Sequence, residues 1–250
     1  MLRQVGREDQ LKWSPNIAYA IGLFTADGNL SSDRRHMEFC SKDVENVAHL
    51  RQCLALKSAI CLKKRGTPPY RNYYRVQFGN VRLYRILEGL GLKSKKSLTL
   101  EAVEIPDSFF PDFLRGFWDG DGGFSTFFHP ESYLLQWKAR FSSGSLKFLT
   151  WLQHHVAALH QLHGKIHRSG RVYQLAYYKR DGFHLLKMMY YRADLVCLTR
   201  KKKQAWDLLA QLSDGEFPGL EAREKRYAFP GKVLLMRKGE PSPPQFFGGR

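Results

Sequence analysis

Two nine-residue stretches carry the residue types that could do chemistry. Ala20–Gly28 reads AIGLFTADG and Leu114–Gly122 reads LRGFWDGDG. Each ends in Asp-Gly, and the two carboxylates, Asp27 and Asp121, lie 94 residues apart, the length of one small domain. Repetition at that spacing indicates an internal duplication. Two carboxylates brought together in a strongly basic protein make a divalent-cation site. The chemistry open to such a pair is phosphodiester hydrolysis, which needs a polarised phosphate, an activated water and a stabilised leaving oxygen. The backbone carbonyls of Ala26 and Gly120 could complete the ligand set with water. The competing reading is that both Asp merely terminate helices, where an anion is disfavoured by the helix dipole.

The elements that must position this pair are helices with a small-residue seam. Ala18, Gly22 and Ala26 recur at spacing four, as do Gly116 and Gly120, so each copy presents one narrow face that lets two backbones pack closely. Asp-Gly then predicts a helix end closed by a left-handed Gly28 or Gly122. Ser14-Pro15 opens the first helix, with Ser as cap and Pro in the first turn. A hairpin is expected over 29–41, with Met37 and Phe39 inward and His36 and Glu38 outward. Asp43 caps a helix with an apolar stripe of Val44, Val47, Leu50 and Leu54. A second hairpin buries Ile60, Leu62, Tyr74, Val76 and Phe78, turns at Gly66-Thr-Pro-Pro, and precedes a helix over 81–90. The second half repeats this order: a hairpin over 123–142 with Trp137, Ala139 and Phe141 inward, a helix over 145–163, a hairpin over 165–178, and a last helix opening near Asp181.

The paired stretches resemble the two motif copies of the single-chain LAGLIDADG homing endonucleases, and the likeness extends over roughly residues 14–210. The first copy departs at its sixth position, where Thr25 stands in place of the usual Asp; the second keeps Asp119. The resemblance implies an α/β (α+β) fold of two pseudo-symmetric αββαββα halves, with a central helix pair and two antiparallel, saddle-shaped sheets. The expected divisions are residues 1–92, a basic linker 93–106, residues 107–212 and a tail 213–250. It further implies a site-specific double-strand DNA endonuclease of intron or intein mobility, cutting across the minor groove with Mg²⁺ or Mn²⁺, with Ca²⁺ supporting binding alone. Asp27 and Asp121 would hold the metal, and a Lys near each scissile phosphate would stabilise charge: Lys93 or Lys96 from LKSKKS, and Lys201 from TRKKKQ. Ser41 and Ser143, ending the second strand of each half, would order water, with simple helix capping as the alternative. A free-standing monomer is expected rather than an intein. Two rivals share the fold: an RNA-binding intron maturase, and a DNA-binding protein that does not cut.

Composition agrees with a polyanionic partner. The 250 residues carry 40 Lys and Arg against 23 Asp and Glu, a formal charge of +17, with twelve Tyr and five Trp to cover sugar and base surfaces. The outward strand residues form the expected DNA surface: Arg34, Lys63, Arg65, Arg75 and Gln77 in the first half, Lys138, Arg140, Lys165, His167 and Gln174 in the second. Arg reads guanine and Gln reads adenine in the major groove, although any one of them more often meets phosphate. A ten-residue strand spans about 33 Å, so two sheets end to end would cover on the order of twenty base pairs. The four Cys form no CxxC pair, and the five His between 154 and 167 lack the spacing of a closed zinc set, reading instead as a basic helix face. With no signal peptide and no apolar run of membrane length, an intracellular protein is expected, in prokaryotic cytoplasm or an organelle matrix.

Overall fold

In the computed structural model, the residues described are 11–67, 71–94, 98–128 and 135–211. Ser14 caps α1 (Pro15–Asp27) through its Oγ, which accepts the N–H of Ile17 at 3.2 Å. The chain then runs β1 (Gly28–Leu30), β2 (His36–Ser41), α2 (Val44–Cys53), β3 (Ile60–Arg65), β4 (Arg71–Gly79) and α3 (Val81–Gly89). After a single 3-10 turn over Asp107–Phe109, the pattern recurs as α4 (Phe110–Asp121), β5 (Gly122–Phe128), β6 (Leu135–Ser143), α5 (Leu146–His160), β7 (Lys165–Ser169), β8 (Val172–Tyr178) and α6 (Lys179–Met189). A further helix, α7 (Thr199–Gln211), follows.

The duplication is exact at the level of topology. The two antiparallel sheets have strand orders β1-β2-β4-β3 and β5-β6-β8-β7. Even the register agrees: Gly28 pairs with Phe39 in the first copy and Gly122 with Phe141 in the second. The inward faces follow the alternation of the sequence, with Met37, Phe39, Val76, Ala139, Phe141, Leu175 and Tyr177 all buried. This is α+β architecture in two equivalent halves.

The helix pair at the centre is packed backbone to backbone. A Cβ at Gly22 would lie 2.0 Å from the carbonyl oxygen of Phe113, and one at Gly116 would lie 2.0 Å from that of Tyr19. Larger side chains at those positions would hold the helices apart, so the small-residue seam is what permits the approach. Both helices are buried nearly all round, from Ala18 to Thr25 and from Phe110 to Asp119.

Several local expectations are corrected. Gly28 and Gly122 are extended (φ −81° and −99°), not left-handed. The chain leaves each helix directly into a strand, and glycine is needed because a Cβ would lie 2.4 Å from the Phe24 ring or 2.5 Å from the Trp118 ring. Val44 and Leu62 are exposed rather than buried, because α2 packs over β2 and β4 and β3 is the edge strand. Asp43 stands at the N-cap of α2 but makes no capping bond with its side chain. One terminal helix was expected from Asp181 onward; two are present, separated by residues 190–198. The Gly66-Thr-Pro-Pro turn lies partly outside the described residues.

Candidate active site and nucleic-acid interface

Asp27 and Asp121 are the last residues of α1 and α4, so the seam that joins the helices also brings their carboxylate ends together. A Cβ at Gly120 would lie 2.3 Å from the Cβ of Ala26 and 3.6 Å from Oδ2 of Asp27. The carboxylate of Asp27 therefore stands across the seam from the residue that precedes Asp121. Asp27 is exposed and Asp121 half-buried. Among the described residues, no cluster of three or more His, Cys, Asp and Glu side chains could hold a metal ion. A cation at the helix ends would thus rest on two carboxylates and backbone carbonyls, an all-oxygen set that suits hard divalent ions. The dipoles of both helices place partial negative charge at the same spot, and the residues present fit such a cation.

Beneath the end of α4 lies a buried polar network that departs from the symmetry. The motif register sets Ile21 against Arg115 and Thr25 against Asp119. Thr25 closes on its own helix, its Oγ1 donating to the Ile21 carbonyl at 2.7 Å. Arg115 and Asp119 instead bind the backbone that precedes α7. Arg115, fully buried, donates to the carbonyls of Met189 (2.9 Å) and Val196 (3.0 Å) and to Asp112 Oδ1 (2.7 Å). Asp119 Oδ2 accepts the Tyr19 hydroxyl at 2.8 Å and the Leu198 N–H at 2.7 Å. Burial pushes the Asp119 carboxyl up to about 6, against the opposing pull of Lys201 and these donors.

The result is a fixed address for Lys201. Its ammonium is buried and donates to the carbonyls of Trp118 (2.5 Å), Asp119 (3.0 Å) and Gly122 (2.7 Å). Burial lowers its pKa to about 8, while Asp119, Asp43 and Asp121 pull it upward. Lys201, expected near a phosphate, reaches the last turn of α4, where all three of its N–H donors meet backbone carbonyls. It holds the helix end that carries Asp121, and the carbonyl of Gly120 is not among its acceptors.

The first half secures this arrangement from the other side. Glu45 accepts the N–H of Thr199 at 3.0 Å and also its hydroxyl. Asp43 accepts from Arg200 Nε at 3.1 Å and Nη2 at 2.7 Å. Asn46, buried on α2, donates to the Asp119 carbonyl at 3.1 Å. The start of α7 is thereby clamped between the two halves. Nothing in the sequence paired these residues, which lie more than 150 positions apart in the case of Asp43–Arg200 and Glu45–Thr199.

The remaining expected site residues are placed as follows. Lys93 is exposed, and Lys96 lies outside the described residues. Ser41 Oγ accepts the N–H of Asp43 at 3.2 Å, and Ser143 Oγ accepts that of Ser145 at 3.1 Å. The two serines thus build the same turn before α2 and α5, each accepting the N–H of the residue that stands at the helix N-cap. Arg34 is a turn residue rather than a strand residue, at φ 60°, and pairs with Glu88 at 3.0 Å. Lys63, Arg75 and Gln77 share one outer face of the first sheet; Lys138, Arg140, Lys165, His167 and Gln174 share the corresponding face of the second. The side chain of Arg65 lies outside the described residues. The histidines of α5 do not form a simple basic face: His155 packs 4.4 Å from the Phe110 ring and stacks on Trp151. All four cysteines are free. No helix of the described residues is long and apolar enough to cross a membrane.

Comparison with solved structures places this architecture. The chain is similar to the homing endonuclease I-WcaI bound to its DNA recognition sequence, with a TM-score of 0.56 at 11% identity, covering 82% of this chain and 94% of that one. It is also similar to the LAGLIDADG homing endonuclease I-GzeII in complex with a DNA target (TM-score 0.51, 12% identity, 83% and 94% covered). A third likeness is to I-LtrWI bound to target DNA (TM-score 0.51, 12% identity, 81% and 91% covered). The chain has the LAGLIDADG homing-endonuclease fold. No family model and no curated protein sequence matches it.

Proposed function

We propose that the chain is a site-specific, divalent-metal-dependent double-strand DNA endonuclease that works as a monomer. The observation that carries this reading is the seam, which sets Asp27 Oδ2 against the end of α4, next to Asp121. Two carboxylates at adjacent helix C-termini repel each other and meet the unfavourable ends of two dipoles. The Lys201 ammonium offsets part of this charge at the end of α4, and a divalent cation held by the two carboxylates would offset more of it. Asp27, Asp121 and the carbonyls of Ala26 and Gly120 would hold the metal, which when bound polarises a phosphate and lowers the pKa of water. Arg115 and Asp119 fix the segment before α7, and Lys201 then fixes the last turn of α4. Residues 1–92 and 107–212, joined by 93–106, would each face one half of a long target through the outer surface of their sheet. Mg²⁺ is the ion expected to support cutting, Mn²⁺ to replace it, and Ca²⁺ to support binding only.

The experiment is cleavage of a randomised duplex library with Mg²⁺, Mn²⁺, Ca²⁺ or chelator, run beside a binding titration. Asp27→Asn and Asp121→Asn are expected to fold and bind like the parent while cutting at least a hundredfold more slowly, the scale expected of losing an electrostatic group that acts in the transition state. Parental cutting by Asp121→Asn would refute the metal assignment. A parent that binds duplex but never cuts it is a DNA-binding protein on this fold, and one that prefers a structured intron RNA is a maturase.

A further inference from the structure

The two sheets are equivalent in register but opposite in charge at one position. Since Gly28 pairs with Phe39 and Gly122 with Phe141, Glu38 in β2 and Arg140 in β6 occupy the same place on the outer face of their sheets. Among the described residues, Glu38 is the one acidic side chain in any of the eight strands. Its carboxylate accepts Lys63 Nζ at 2.6 Å, Arg75 Nη1 at 3.3 Å and the Cys40 thiol at 3.4 Å. The group is mostly covered, its side chain 18% exposed against 27% for Lys63 and 33% for Arg75. Burial pushes its pKa up, but the Lys63, Cys40 and Arg75 interactions more than offset this and hold it below the ordinary range. Arg75 meanwhile keeps a buried Nε–H that has no acceptor.

The second sheet has no such brake. Arg140 donates to Ser142 at 3.3 Å, and Lys138 lies 5.8 Å from the Phe127 ring and 5.7 Å from the Tyr178 ring. None of its four strands contains Asp or Glu.

A carboxylate facing a polyanion weakens binding wherever it meets phosphate. In the major groove it gains instead from the amino groups of cytosine or adenine, which donate to it. By occupying Lys63 and Arg75 it also withholds both cations from phosphate and presents Arg75 in a fixed pose. We infer that Glu38 is a specificity-determining residue: the first sheet discriminates among sequences through the Glu38–Lys63–Arg75 cluster, selecting a base with an exocyclic amino group, whereas Arg140 at the equivalent position of the second sheet grips phosphate. The inference rests on the double-stranded DNA reading above.

The test uses Glu38→Gln, which keeps the shape and one acceptor oxygen. Parent and variant are titrated across salt with two probes: a random-sequence duplex, and a duplex selected by the parent from a randomised library. Glu38→Gln should bind the random duplex several-fold more tightly. Its slope of log affinity against log salt should steepen by about 0.9 for each cation released to phosphate, two at most. Its preference for the selected duplex should fall about tenfold, with enrichment lost in one half of the site only. Arg140→Gln, at the equivalent position, should weaken both probes alike and flatten the slope by about 0.9. Parental slope and parental selectivity in Glu38→Gln would overturn the inference. A parent that binds neither probe overturns the DNA reading itself, and is seen before any variant is compared.

Discussion

Replacing Gly116 by Ala is the sharpest test of the seam. The added Cβ would lie 2.0 Å from the Tyr19 carbonyl oxygen and 2.9 Å from the Leu23 nitrogen. Both are backbone atoms in a helix, so no side-chain rotation relieves the clash. Ordinary contact begins near 3.4 Å, so the helices must separate by about 1.4 Å at this point. Tyr19, Leu23, Phe113 and Phe117 are all buried beside it, and each would lose packing on its other side. Overpacking of this kind costs about 3 kcal/mol, from which the better helix propensity of Ala recovers about 1 kcal/mol. A net loss of about 2 kcal/mol corresponds to a drop of about 4–8 °C in Tm for a chain of this size. The control is Gly89→Ala, the same chemical change at the end of α3, where a Cβ meets nothing within 4 Å. There the propensity gain stands alone, and stability should rise by about 0.5–1 kcal/mol. Urea unfolding of both variants decides the matter. If Gly116→Ala is as stable as Gly89→Ala, backbone contact does not set the helix spacing, and the seam argument for the Asp27–Asp121 pair fails.

Other outcomes follow from the buried network. Asp119 titrates near 6 in the fold against 3.8 when unfolded, so the folded state binds more protons between those values and stability is lost as pH rises through them. Measured against Asp119→Asn, which keeps the shape without the charge, the parent should lose about 2 kcal/mol between pH 4 and pH 6. A flat difference across that range would refute the assignment. Lys201 titrates near 8 in the fold against 10.5 unfolded, so its contribution runs the other way, and the fold gains stability as pH rises above about 8. Lys201→Met removes three hydrogen bonds from the end of α4. It should cost about 2 kcal/mol in urea unfolding while duplex binding persists and cutting slows; unchanged cutting would show that α4 needs no such support. Arg200→Ala, which breaks the bidentate pair with Asp43, should produce a milder version of the same effect. Retention of the parental cutting rate by that variant would leave the clamp without a functional role.

The sequence by itself determined the duplication, the central helix pair and the inward faces of the strands. Ala18, Gly22 and Ala26 recur at helical spacing, as do Gly116 and Gly120, and Met37, Phe39, Ala139 and Phe141 alternate at strand spacing. These are local periods, and burying an apolar or small-residue face is a demand that any fold of this chain must meet. Tertiary structure decided what lies under and around the two carboxylates. Arg115 and Asp119 break the motif's symmetry, yet only the packed chain shows that they bind the backbone of 189–198 and so deliver Lys201 to α4. Asp43, read as a helix cap, was claimed by Arg200, and Glu38, read as an outward charge, was claimed by Lys63 and Arg75. A polar side chain on the surface of one element has many compatible partners and no period to announce them. Its partner is set by which segments the burial of the apolar faces brings within about 3 Å, and that distance exists only once both halves are packed together.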